Sequence, residues 1–419
     1  MNFTEDTEEL MKFLMSHIDN FSGIKTPLKQ KKMDNMLKMM YYDIKFADMW
    51  ANSEETRNKI KTDLMEGKEN ITPLWVMQES KYIPKYIQNY IIEHNKGYIQ
   101  YKLTIGDRDI EIYFSLLNNS DFNFLGKFDK YVKKMITWLK IAFSYAPHKC
   151  SRVLKIYVFL TPFKKKLPNN QFHVLSQDHC NSAVTMSCNP HGEIIVYRKE
   201  EFLKVFIHET FHTLGLDFST MSLNKFNEKV KNIFPVKSDF NLFESYSEFW
   251  ASTMNILISS YFLLEDKDDK ENFYLYCEVC MRFEKMFALF QLVKILDFMG
   301  LEYPNLYSCD KISLTARRYL FKEKTNVFAY YIIKTLLFYN NVEFLLWCKK
   351  NNNNLICFKK SPVMLNNFFD FIKNTHDDQY FLNDISLMSG FLSKMKGSHS
   401  KPKNNLLTKT MRMSLCEIN

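Results

Sequence analysis

Glycine and proline are scarce, at 10 and 11 of 419 residues, which excludes collagen-like and linker-like chains. With 46% hydrophobic and 16% aromatic residues, the chain has ample material for a large core and does not read as disordered. Apolar runs of membrane-spanning character are lacking too. The richest windows, 249–264 and 327–347, are interrupted by Ser, Asn, Lys and Glu, so both read as buried helices. The start, Met1-Asn2-Phe3-Thr4-Glu5-Asp6, is acidic and has no basic-then-apolar order, so secretion is not expected. The nine cysteines are odd in number and irregularly spaced, which predicts reduced thiols in a cytosolic or intravirion setting. Cys277 and Cys280 form a lone CxxC within a helical pattern and read as buried, idle thiols. Acidic residues are the minority charge, 47 against 56 Lys and Arg, giving a net charge of +9. The excess lies partly in Lys164-Lys165-Lys166 and in the stretch after Lys394. Such runs read as solvated surface, and contact with nucleic acid through the basic tail is the disfavoured alternative.

What is present divides the chain by pattern. Residues 1–97 show helical apolar spacing, with loops near residues 23–27 and 70–73. Residues 98–105 and 109–116 read as strands around Gly106-Asp107, a hairpin signal. A helix is predicted over 128–143 and a buried strand over 153–160. A second hairpin, 183–188 with 193–197 around Asn189-Pro190-His191-Gly192, leads into the next helix. From residue 243 to about 394 the pattern is almost wholly helical. The expected organisation is therefore α+β, with a helical region at 1–97, a core at 98–264, a helical region at 265–393 and a flexible basic tail at 394–419.

The stretch His208-Glu209-Thr210-Phe211-His212 is an H-E-x-x-H motif, which places two imidazoles four residues apart on one helix face, within reach of a single ion. Glu209 lies beside that face, positioned to relay a proton from activated water to a leaving amine. Glu200 and Glu201 suit the first turn of this helix and Gly215 its end. Between them Phe202, Leu203, Val205, Phe206, Ile207, Phe211 and Leu214 cover nearly the whole circumference, so the helix is expected to be buried. Two His and a Glu in such a helix need partners, and a metal ion supplies one. The competing reading is a polar cluster in which Glu209 pairs with a neighbouring base.

A catalytic zinc ion takes three protein ligands and keeps one position open. The longer metzincin pattern would place the third ligand at Phe218, which cannot bind zinc; Asp217 is one residue early. The alternative is the segment around Glu244 and Glu248, two carboxylates four residues apart on a predicted helix. This combination resembles the zincin metallopeptidases, and among them the gluzincin or thermolysin-like group, over roughly residues 98–262. The resemblance implies a small mixed sheet with an HExxH helix and a Glu-bearing helix, one Zn2+ ion, and hydrolysis of peptide bonds with Glu209 as general base. It implies Glu244 as third ligand beside His208 and His212. Glu248 is then the acceptor for the outer nitrogen of a ligand histidine, or the alternative ligand. It further implies a peptide or protein substrate paired along residues 183–188. Tyr246 and His191 are candidate oxyanion donors, and His173, His179, His191 and His376 read as surface or structural. Two other readings are an idle zincin-fold scaffold or virion protein, and a basic nucleic-acid-binding protein.

Overall fold

The Gly106-Asp107 turn closes a hairpin in which Lys102 faces Glu111 and Ile105 faces Arg108, with Gly106 at φ +65°, a conformation glycine adopts without Cβ strain. In the computed structural model, which describes residues 2–15, 20–21, 33–66, 82–118, 121, 125–397 and 405–419, this hairpin supplies two adjacent strands of a six-stranded mixed sheet. The expected loops near 23–27 and 70–73 lie outside the described residues. The chain is α+β, and it forms two compact units.

The sheet unit comprises Lys38–Lys165 and Asn181–Thr220. Its strands are β1 (Lys61–Glu66), β2 (Gly97–Ile105), β3 (Arg108–Ser115), β4 (Val153–Val158), β5 (Ala183–Thr185) and β6 (His191–Val196), ordered β1-β2-β3-β4-β6-β5. β3, β4 and β6 run parallel, and the outer pairs are antiparallel. Where both faces are covered, neighbouring residues of the parallel strands are buried together, as Tyr157-Val158 and Ile195-Val196 are. On one face Phe114 packs on Phe128 and Phe202, from the helices Gly126–Tyr145 and Phe202–Thr213. On the other, Tyr98, Tyr157 and Ile195 pack with Ile83, Ile87 and Ile91 around the helix Lys85–His94. β1 falls inside the region expected to be helical. It is an edge strand exposed almost throughout, so no alternating apolar face marks it in the sequence.

The helical unit comprises Met1–Leu37, Lys166–Cys180 and Met221–Asn419. Its longest elements are the helices Phe243–Leu263 and Lys270–Phe298, against the second of which the N-terminal helix Glu5–Met15 packs. The units cut across the pattern-based divisions at 97 and 264, because residues 38–97 complete the sheet unit while residues 221–264 join the later helices. No helix among the described residues is long and apolar enough to cross a membrane.

The expected flexible tail is corrected for residues 405–419. Met411, Arg412, Ser414, Leu415 and Cys416 are buried. The carbonyls of Met411, Arg412 and Met413 accept from Tyr331, Gln291 and Lys334 at 2.7, 2.6 and 2.7 Å, and Glu284 accepts from the Leu415 amide at 2.8 Å. Side-chain donors and an acceptor spread over several helices thus satisfy a backbone that has no ladder of its own. Composition cannot signal that.

Candidate metal centre

All twelve residues of the helix Phe202–Thr213 are buried, as its circumferential apolar pattern predicts. Phe206, Ile207 and Phe211 are fully excluded from solvent, and each such side chain contributes roughly 2 kcal/mol of burial. Trp138 fixes the helix from the side: its indole N–H donates to Thr210 Oγ1 at 2.8 Å, and its ring stacks on Phe211 with centroids 6.1 Å apart. At the start of the helix, Glu201 takes the capping position in left-handed backbone at φ 58°. Its carboxylate forms a buried ion pair with Lys165, while Glu200 accepts from the Lys165 amide at 2.7 Å. Lys165 is therefore not the solvated surface charge that its lysine run suggests; two neighbouring carboxylates make its burial tolerable.

The helix ends where Gly215 predicts. Gly215 sits at φ +65° and donates to the His212 carbonyl at 3.0 Å, and Leu216 donates to Phe211 at 2.8 Å. These two bonds form a Schellman closure, which turns the chain sharply back and brings Asp217 beside the imidazole of His212. The Asp217 carboxylate bonds His212 Nδ1 and also accepts from the Ser219 amide at 3.1 Å and its hydroxyl at 2.7 Å. An acceptor on Nδ1 fixes the proton there, which leaves the Nε2 lone pair of His212 directed outwards.

That lone pair points at His208. The two Nε2 atoms are 3.0 Å apart and the rings meet edge to face with centroids 4.7 Å apart. Two imidazole nitrogens converge in this way either around a shared proton or around a cation.

Glu244 lies in the first turn of the helix Phe243–Leu263, where its carboxylate accepts from Asn326 Nδ2 at 3.2 Å. The capping position there is Leu242, and Asn241 instead donates to Asn326 Oδ1 at 3.0 Å, so a capping box between Asn241 and Glu244 does not form. Glu248, one turn on, is buried. The histidine pair belongs to the sheet unit and Glu244 to the helical unit. Two imidazoles and one carboxylate are a donor set suited to zinc.

The acceptor on His212 Nδ1 is Asp217, the role sequence reasoning gave to Glu248. The signal was available, since a Schellman glycine two residues earlier turns the chain back over the last helical turn. Tyr246 is buried, and its hydroxyl donates to the Ile356 carbonyl at 3.0 Å, a structural bond in place of the proposed oxyanion role. His191 is exposed at the start of β6. The Cys277 and Cys280 thiols are buried in the helix Lys270–Phe298.

The expectation of uniformly reduced thiols is corrected by a Cys150–Cys188 disulfide, with Cα atoms 4.7 Å apart. Each cysteine lies three residues before the first pair of the β4/β6 ladder, Val153 with His191, so strand register rather than any sequence spacing brings them together. The other seven cysteines are thiols.

No protein-family model, no curated protein and no solved structure matches this chain.

Proposed function

We propose that this protein is a zinc-dependent peptidase in which His208 and His212 hold the metal and Glu209 is the general base, with Glu244 the third ligand that the sequence resemblance implies. The observation that carries this reading is the histidine pair: Nε2 atoms 3.0 Å apart on a buried helix, with Asp217 holding the outer nitrogen of one ring. A polar cluster around Glu209 alone would not require both imidazoles to converge. When bound, zinc supplies a Lewis acid that acidifies water and polarises a scissile carbonyl. Glu209, adjacent to His208 on the buried helix, takes the proton from water and returns it to the leaving amine. Asp217 keeps His212 in the tautomer that presents Nε2. Glu248, one turn beyond Glu244, is the alternative carboxylate ligand. The substrate class is peptide or protein.

The test is metal analysis and peptide-library cleavage for the wild type beside Glu209→Gln, His212→Ala and Glu244→Ala. The expected result is one zinc per chain in the wild type and in Glu209→Gln. Cleavage should be lost in Glu209→Gln, and both zinc and cleavage in His212→Ala. Absence of stoichiometric zinc from the wild type would overturn the reading. Zinc binding without cleavage would favour an idle scaffold, and undiminished zinc affinity in Glu244→Ala would transfer the third ligand to Glu248.

A further inference from the structure

The disulfide lies against the end of the helix that carries the histidines. Cys188 donates its amide to the His212 carbonyl at 3.0 Å, the same carbonyl that closes the Gly215 turn. Ser151, next to Cys150, donates its hydroxyl to the Thr213 carbonyl at 3.0 Å and its amide to Asn189 at 2.7 Å. Gly215 packs against the bridge so closely that an added Cβ would lie 3.1 Å from Cys150 Sγ and 3.3 Å from Cys188 Sγ. Ser187, preceding Cys188, has its hydroxyl 2.9 Å from Ser219, which in turn donates to Asp217. These contacts on the turn from His212 to Ser219 each come from a bridged cysteine or from a residue beside one.

We infer that the Cys150–Cys188 disulfide is a positioning clamp for His212, and that its reduction weakens metal binding at the histidine pair. The inference rests on the metal-binding reading above. Cys150 is fully buried, whereas Cys188 is partly exposed on a turn whose neighbours Ser187 and Asn189 are exposed. A dithiol reductant therefore attacks Cys188 Sγ. The bridge breaks, Cys150 leaves as a thiolate and takes a proton from water, and the second thiol of the reductant displaces Cys188 from the mixed disulfide. Two electrons pass from the dithiol, which becomes a cyclic disulfide, to the cystine. The released 186–190 turn no longer holds the amide of Cys188 on His212 or Ser187 on Ser219. Loss of such outer support costs about 10- to 100-fold in metal affinity.

The experiment uses the full chain in three forms: oxidised, reduced with a dithiol that is then removed without air, and Cys150→Ser/Cys188→Ser. Zinc affinity is measured by competition with a chromophoric chelator. The side-chain nitrogen and Nδ1–H signals of His212 are recorded in the metal-free protein by NMR. Zinc binding at least about tenfold weaker in the reduced and double-serine forms is expected, with a shifted or exchange-broadened His212 Nδ1–H. Equal affinity and unchanged His212 signals in all folded forms would overturn the clamp and leave the metal reading intact. Zinc binding by none of the forms would overturn the metal reading; the metal-free His212 signal then decides the clamp, a change supporting it and constancy rejecting it. If the double-serine form does not fold, the reduced wild type carries the comparison.

Discussion

At the scale of single residues, the weight falls on Asp217. It is a carboxylate fully excluded from solvent, and its acceptor role towards His212 and Ser219 accounts for its burial. Replacing it by Asn keeps the shape but loses the charge that stabilises the Nδ1 proton and raises ring basicity. Asp217→Asn is expected to weaken zinc binding by about 10- to 100-fold while leaving the far-ultraviolet circular dichroism of the metal-free chain unchanged; chelator competition reads the affinity, and wild-type affinity would remove Asp217 from the centre. The sequence shows His208, Glu209 and His212 plainly, because H-E-x-x-H is a local geometry that one helix delivers. It shows Asp217 only indirectly, through Gly215, whose left-handed turn decides the direction in which the chain leaves the helix.

At the scale of elements, the turn from Glu323 to the π-helical segment Phe328–Ile333 offers a measurable titration. Glu323 accepts the Phe328 amide at 2.7 Å, capping the segment. Burial pushes its carboxyl up to about 7, against a smaller opposing pull from Ser238 and the backbone amides. A carboxyl with a raised folded-state pKa binds its proton more tightly in the folded chain. Its contribution is therefore full below the unfolded value near 4.5 and is lost as pH rises through about 7. Urea unfolding should show this contribution falling by about 2 kcal/mol between pH 5 and pH 8. Glu323→Gln should flatten that slope; an identical pH dependence in the variant would exclude Glu323 as its source. Elements also show where pattern reading succeeds. Gly106, the apolar circumference of residues 202–214 and the helical run after 243 were legible, since turn chemistry and periodicity are local. The edge strand Lys61–Glu66 was not, for its side chains face solvent and its identity comes only from pairing with Gly97–Lys102.

At the scale of the whole molecule, both described ends of the chain belong to the helical unit. Phe3 pairs with Ile418, the Thr4 amide donates to Glu417 at 2.9 Å, and the Thr7 hydroxyl donates to Leu415 at 2.8 Å. The buried Lys294 and Lys334 ammonium groups use carbonyls of residues 407–413 as acceptors, and burial pushes the Lys294 ammonium well below its ordinary pKa. Deleting residues 410–419 removes the Thr410 and Met413 acceptors and the amide that Glu284 binds, and each buried polar group left unsatisfied costs about 1–3 kcal/mol. The deletion is expected to lower stability by at least about 3 kcal/mol or to abolish the cooperative transition of the helical unit in a urea melt. A loss under about 1 kcal/mol, within the range of ordinary surface substitutions, would show that the segment is not integral. The sequence by itself determined the α+β class, the helix bearing His208, Glu209 and His212, and the glycine that ends it, because periodicity, motif spacing and backbone preference act within a few residues. Only the tertiary structure decided the burial of the C-terminal segment, the division of the chain into units and the Cys150–Cys188 bridge. Each of these depends on strand register or on donors supplied by residues far away in sequence, where no local preference can act.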